Sequence, residues 1–225
     1  MFIAVPGNRS SSTSLEEQQQ DSSTSLGPSA SLSSSSSSSG SLKAKQPLNE
    51  RVVPHIDYYV HLHGLHYERH RAVTADGFVL YLHRIRAHET VAAGAGARPV
   101  VMQHGLFMDP GMYVVNEEES MAFSLANEGY DVWLGSNRGV VLEHDSLHPS
   151  QDAFWDWSVD DLAKYDVRCI VDYVLGQTGQ SKVAWVGMSQ GNAQAFMAFS
   201  TNKALAEKIA LFVAIAPVAR LGDLP

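Results

Sequence analysis

The 225-residue sequence predicts an α/β fold in which an antiparallel hairpin opens a mostly parallel sheet flanked by helices. Three observations predict it. Residues 67–73 and 78–86 alternate apolar and polar side chains around Ala75-Asp76-Gly77, and Asp-Gly is a strong hairpin signal because both residues tolerate positive φ. Short, continuous apolar runs of the kind found in buried parallel strands recur later in the chain. Segments of helical period lie between those runs, and strands alternating with helices need crossover connections, hence parallel pairing.

Residues 1–47 come first and are dominated by serine, with an unbroken run from Ser33 to Ser39. Such a stretch cannot bury enough apolar surface to offset its ordering entropy, so it reads as a disordered tail ahead of a domain over 48–225. Asn8-Arg9-Ser10 matches a glycosylation triplet, but triplets of this kind arise by chance in serine-rich sequence.

After the hairpin and an Ala/Gly-rich loop, Pro99-Val100-Val101-Met102-Gln103 forms the third strand. A helix is expected over 117–128. Asn116 caps it, Glu117, Glu118 and Glu119 sit at the positive end of its dipole, Met121, Ala122, Leu125 and Ala126 share a face, and Gly129 stops it. Residues 130–134 are the fourth strand, followed by a polar loop to about Phe154. Ser158 and Asp161 form a capping box for a helix in which Val159, Leu162, Ala163, Val167, Ile170, Val171 and Val174 keep helical spacing until Gly176. Residues 182–186 are a fifth strand. Residues 192–200 are a helix with Ala193, Phe196, Met197 and Ser200 on one stripe, and 209–216 are a sixth strand.

Composition narrows the function. Sixteen basic against 24 acidic residues, a net charge of −8, leave no basic footprint for a phosphate backbone, so no nucleic-acid partner is expected. A single thiol, Cys169, excludes an intrachain disulfide framework and a Cys-rich zinc site. No run of 18 apolar residues occurs, and the first residues, Met1-Phe2-Ile3-Ala4-Val5-Pro6-Gly7, lack the charged start and apolar core of a secretory signal. That favours an intracellular location over a secreted one.

The chemistry lies between the fifth strand and its helix, in Gly187-Met188-Ser189-Gln190-Gly191. With Gly and Ser each near 7% of residues, a G-x-S-x-G would occur by chance about 0.07 times in such a chain. A strained strand-to-helix turn exposes a serine hydroxyl at the carboxyl end of the sheet, and the flanking glycines keep Cβ atoms from colliding. Ser189 is the expected nucleophile. The Gln190 N–H, at a helix N-terminus, is one expected oxyanion donor. The Leu106 N–H in His104-Gly105-Leu106-Phe107 is the second, with Gly105 letting the loop turn its amides inward; His104 reads as a structural residue under the turn. His61, His63, His66 and His70 invite a metal site, but in extended or loop sequence without acidic neighbours they read as ordinary surface. No metal or other cofactor is implied.

The segments "YERHRAVTADGFVLYLHRI", "VVMQHGLFMDPGMYVVNEEESMAFSLANEGYDVWLGSNRG", "FWDWSVDDLAKYDVRCIVDYVL" and "VAWVGMSQGNAQAFMAFS" together resemble the acid lipases of the α/β-hydrolase fold. That group includes lysosomal acid lipase, gastric lipase and fungal steryl ester hydrolases. The resemblance covers about residues 55–220 and implies hydrolysis of triacylglycerols or steryl esters through an acyl-enzyme, at a lipid-droplet or membrane surface. "SQGNAQAFMAFS" and "NRGVVLEHDSL" look closer to fungal members. Met188 stands where the family commonly has His, and the loop after Asn137-Arg138-Gly139 lacks the aromatic-serine continuation of animal lipases; both bear on substrate preference rather than reaction type.

In this fold the triad runs Ser, then Asp or Glu, then His. After Ser189 the sequence has only Glu207 and Asp223 as carboxylates and no histidine, so the triad acid and base are expected to be absent from this chain. His144 and His148, in the loop after the fourth strand, are the upstream candidates for a base. Two readings follow. One is the N-terminal part of a lipid ester hydrolase ending after the sixth strand and inactive alone; the other is a short binding or regulatory module without turnover.

Overall fold

Six strands form the sheet in the computed structural model, which describes residues 55–87, 96–140, 145–146 and 151–219. The serine-rich segment, the Asn8 triplet, most of the Ala/Gly loop, His144, His148 and Asp223 lie outside these residues. The order is β1 (His66–Val73), β2 (Phe78–Arg86), β4 (Asp131–Gly135), β3 (Pro99–Gln103), β6 (Val183–Met188) and β7 (Ile209–Ile215), with a two-residue β5 (Asp145–Ser146) on β2. β1, β2 and β4 pair antiparallel; β4, β3, β6 and β7 pair parallel. The predicted α/β architecture is therefore observed, and the parallel strands all present their carboxyl ends on one side.

The hairpin turn uses its residues differently from expectation. Only Gly77 takes positive φ, at +92°, whereas Asp76 accepts a hydrogen bond from the Thr74 hydroxyl at 2.6 Å. Nor is β2 half-exposed: nearly every residue on it is buried, including Arg84 and Arg86. The arginines tolerate burial because they are paired. Arg84 forks onto Asp131 at 2.8 and 2.7 Å and reaches Glu68 at 3.1 Å, and Arg86 also bonds Glu68.

Two apolar cores sandwich the sheet. On one face Leu80, Leu82, Val101, Trp133 and Trp185 meet the later helices. On the other, Ile85, Val100, Met102 and Val132 meet α1 (Ile56–Leu62) and α2 (Met121–Asn127). The α1 helix was not expected, and it places His61 on a helix rather than in an extended segment. The helix expected from residue 117 begins only at Met121. Glu117, at φ +52°, opens a single 3₁₀ turn over Glu117–Glu119, and Ser120 is extended, so Asn116 caps nothing with its side chain.

The capping box at Ser158 is present in full, with the Ser158 hydroxyl and Asp161 carboxylate each taking the other's end of the turn. After a short α3 (Gln151–Trp155), it starts a continuous helical segment, α4 (Val159–Asp161), a π turn (Leu162–Asp166) and α5 (Val167–Thr178). Gly176 lies inside α5; the left-handed stop is Gly179, at φ +67°. In α6 (Gln190–Thr201) the buried face is Gly191, Asn192, Gln194, Ala195 and Ala198, not the expected stripe of Ala193, Phe196, Met197 and Ser200. The helix starts too close to the strand ends for large side chains beneath it, so Phe196 packs sideways on Phe212, ring centroids 5.1 Å apart. A short α7 (Lys203–Ala206) and β7 complete the described chain. No described helix is long and apolar enough to cross a membrane.

Candidate active site

Ser189 occupies the single residue between β6 and α6, with φ 49° and ψ −111°. This backbone region is costly for a residue bearing a Cβ and persists only where the surroundings over-determine it. They do so here. The Ser189 N–H donates to the Ile215 carbonyl at 3.1 Å, and the buried Asn192 side chain donates to the same carbonyl at 2.8 Å, which ties the turn to the end of β7. The motif glycines are fixed by space. A Cβ on Gly187 would lie 2.9 Å from the Asn192 nitrogen and the Gly191 carbon, and one on Gly191 would strike the Gln103 carbonyl and sit 2.9 Å from that of His104. All of these are backbone atoms that cannot swing aside.

The loop after β3 lies directly against this turn. A Cβ on Gly105 would be 3.2 Å from Ser189 Cβ and 3.4 Å from the Met188 carbonyl. Beneath it His104 is buried, its Nε2 accepting the Asn137 N–H at 3.1 Å and its Nδ1 donating to the Gly105 carbonyl at 2.9 Å. That pair of bonds assigns the proton to Nδ1. The Gly105 carbonyl also accepts the Met108 N–H at 3.3 Å. Because a peptide's C=O and N–H point in opposite directions, clamping this carbonyl turns the Leu106 N–H away from His104 and Met108. Among the described residues neither the Leu106 nor the Gln190 N–H donates a hydrogen bond.

A buried polar network fixes the floor. The Asn137 side-chain oxygen accepts from Gln103 at 2.7 Å and from Gln194 at 3.0 Å, joining β3, the loop after β4 and α6. Next to it Arg138 donates to Asp166 from its backbone, Nε and Nη2 at 3.0, 2.8 and 2.7 Å, and to Asp76 of the hairpin turn at 2.7 and 3.0 Å. Burial pushes the Asp166 carboxyl up to about 6 against the pull of Arg138. Asn137, Arg138, Gln103, Gln194 and Asp166 were not singled out from sequence. The polar Asn-Arg pair directly after a strand was the available signal.

Other reactive side chains are quiet or dispersed. Burial first, then the Asp166 and Asp172 carboxylates, pushes the Cys169 thiol up to about 12, so it stays protonated. The four early histidines do not gather at one site: His63 packs on Phe123, while His66 and His70 both contact Glu68, an acidic neighbour that the sequence reading did not count. No cluster suited to a metal occurs among the described residues.

Residues 98–224 match the α/β hydrolase fold family, and residues 56–117 match a partial α/β-hydrolase lipase region. The chain is 42% identical over 185 residues to gastric triacylglycerol lipase of Mus musculus, covering 80% of this chain and 46% of that protein. It is 45% identical over 156 residues to the Bos taurus gastric triacylglycerol lipase, covering 68% and 39%. Lysosomal acid lipase/cholesteryl ester hydrolase of Macaca fascicularis is 39% identical over 201 residues, covering 83% and 49%. The chain thus spans less than half the length of these relatives. A solved Pyrococcus furiosus esterase shares the fold, with a TM-score of 0.51 at 18% identity over 70% of this chain and 53% of that one.

Proposed function

The chain belongs to the α/β-hydrolase fold family, and on that premise we propose that it supplies the nucleophile and oxyanion site of a lipid carboxylic-ester hydrolase acting on triacylglycerols or steryl esters. The observation that carries the proposal is Ser189 held at φ 49° between β6 and α6, against a glycine loop and beside the unengaged Leu106 and Gln190 N–H groups. The relatives support the substrate class: two are named for triacylglycerol and one for cholesteryl ester.

The Ser189 oxygen adds to the ester carbonyl carbon while a histidine takes its proton. The resulting oxyanion is held by the Leu106 and Gln190 N–H groups. Collapse breaks the bond to the alcohol, which leaves with the proton, and water releases the fatty acid from the acyl-serine by the reverse path. No cofactor takes part. The base must be a histidine oriented by a carboxylate, and the sequence after Ser189 holds Glu207 and Asp223 but no histidine. The chain spans less than half the length of the relatives it matches, so the activity is proposed for a protein in which such a histidine reaches Ser189.

Leu106 and Met108 are about half exposed and Phe107 is 98% exposed at φ 58°, an apolar crest beside the serine that suits contact with a lipid droplet or membrane surface. The test is hydrolysis of emulsified triacylglycerol and cholesteryl ester by the full-length protein and its Ser189→Ala form. Loss of about 10⁶-fold in kcat with the fold intact is expected. Near-normal turnover by the variant would assign the nucleophile elsewhere.

A further inference from the structure

Between α1, the β1–β2 pair and the loop after β3 lies a cavity of about 620 Å³. Its apolar walls are Ile56, Tyr59, Met108, Met112, Val114 and Val115. Most of the polar side chains that border it have partners within the protein, His55 and Asp57 at the start of α1 standing apart. Tyr67 and His83 bond each other at 2.7 Å, Arg69 lies over the Tyr81 ring at 3.9 Å, and Asp109 accepts the Gly111 N–H at 2.7 Å. The space is therefore walled mainly for an apolar occupant, with His55 and Asp57 as a polar margin at one end.

Its position relative to the serine decides which apolar occupant. The point where a Gly105 Cβ would stand is 3.3 Å from the sulfur of Met108, a residue that lines the cavity, and 3.2 Å from Ser189 Cβ. One glycine and one flexible thioether separate the two. A group the size of water occupies about 30 Å³, so the cavity holds on the order of twenty such groups, the length of a long acyl chain.

We propose that this cavity receives the acyl chain of the ester whose carbonyl is presented to Ser189, with Met108 as the yielding wall between them. The proposal rests on the acyl-transfer reading of Ser189 and adds to it where the chain lies: along α1 and β1, on the face of the sheet opposite α5 and α6. A straight, long chain fills the space, and a short one leaves most of it empty.

The test uses binding alone, so that it can fail independently of that reading. The 225-residue chain is irradiated with a long-chain fatty acid methyl ester carrying a diazirine at the chain end, and the adducts are mapped by mass spectrometry. Adducts are expected on residues 56–59 and 112–115. Val115→Trp, at a half-exposed wall position that tolerates a larger ring, should reduce them at least about tenfold, as should Met112→Trp. Leu211→Trp on β7 should not change them. Adducts spread elsewhere, or labelling indifferent to both wall variants, would overturn the cavity assignment while leaving a reactive Ser189 untouched. Adducts at the expected positions would support the cavity, and the catalytic reading is judged separately, by hydrolysis with the full-length protein.

Discussion

Replacing Arg138 with methionine tests the electrostatics beneath the site. The Arg138 side chain is 1% exposed and the Asp166 side chain 0%, so the substitution strands a carboxylate with no counter-charge in the interior. Removing one partner of a buried pair costs about 3–5 kcal/mol, here about 10 °C in melting temperature. The cost should depend on pH in a direction that can be worked out. Asp166 is raised from 3.8 to about 6 in the folded protein. Its folded form thus keeps a proton the unfolded chain has lost, and stability falls as pH rises through that window, then levels off once Asp166 ionises. Without Arg138 the carboxyl stays protonated to higher pH and the fall continues. Between about pH 6 and pH 7.5 the variant loses a further 1.5 units' worth of linkage, about 2 kcal/mol, that the parent does not. Urea denaturation followed by tryptophan fluorescence at about pH 5 and pH 7.5 measures both numbers. A penalty equal at the two pH values, or below about 1 kcal/mol, would refute the reasoning.

Three further outcomes are expected. Burial acts to raise the Glu68 carboxyl, but the bonds from His70 and Arg84 and the charge of Arg86 outweigh it and hold it down to about 2. Its contribution is complete above 4.5 and lost as pH falls toward 2, so Glu68→Gln should cost about 1–2 kcal/mol near neutrality, allowing for screening at a side chain 31% exposed, and nothing at the acid end; acid denaturation curves of both forms check it. Gly191→Ala drives a Cβ into the Gln103 and His104 carbonyls and should destabilise by about 2 kcal/mol or more, whereas Gly176→Ala, inside α5 with no atom within 4 Å, should stabilise by about 0.5–1 kcal/mol; paired thermal melts decide. Among the described residues the uncharged Ile209–Ile215 strand pairs on one side only, with β6, so this edge should drive self-association, and Leu211→Lys should shift the sedimentation profile toward monomer.

The sequence made the backbone of the site legible because the relevant signals are local. G-x-S-x-G specifies a strand, a strained turn and a helix within a few residues, and the Ser158 capping box fixes a helix start in four. Errors came where distant residues decide. β2 reads as half-exposed until Glu68 and Asp131 are seen to pair Arg84 and Arg86. The buried face of α6 follows from how closely Gly187 and Gly191 bring it to the strand ends, a proximity that outranks the larger side chains of the predicted stripe. Asn137 meets Gln103 and Gln194 across 34 and 57 residues, separations at which no spacing rule operates. Gly176 reads as a helix stop because glycine usually ends a helix, but of the two glycines it is Gly179 that has the left-handed conformation that does so.

Reaction of the full-length protein with a fluorophosphonate, followed by peptide mapping, tests the central assignment most directly, because phosphonylation requires an activated hydroxyl in an oxyanion site. A single adduct on Ser189, abolished by Ser189→Ala and accompanied by loss of long-chain ester hydrolysis, is the predicted result. An adduct on another residue, or hydrolysis that survives complete modification of Ser189, would contradict it.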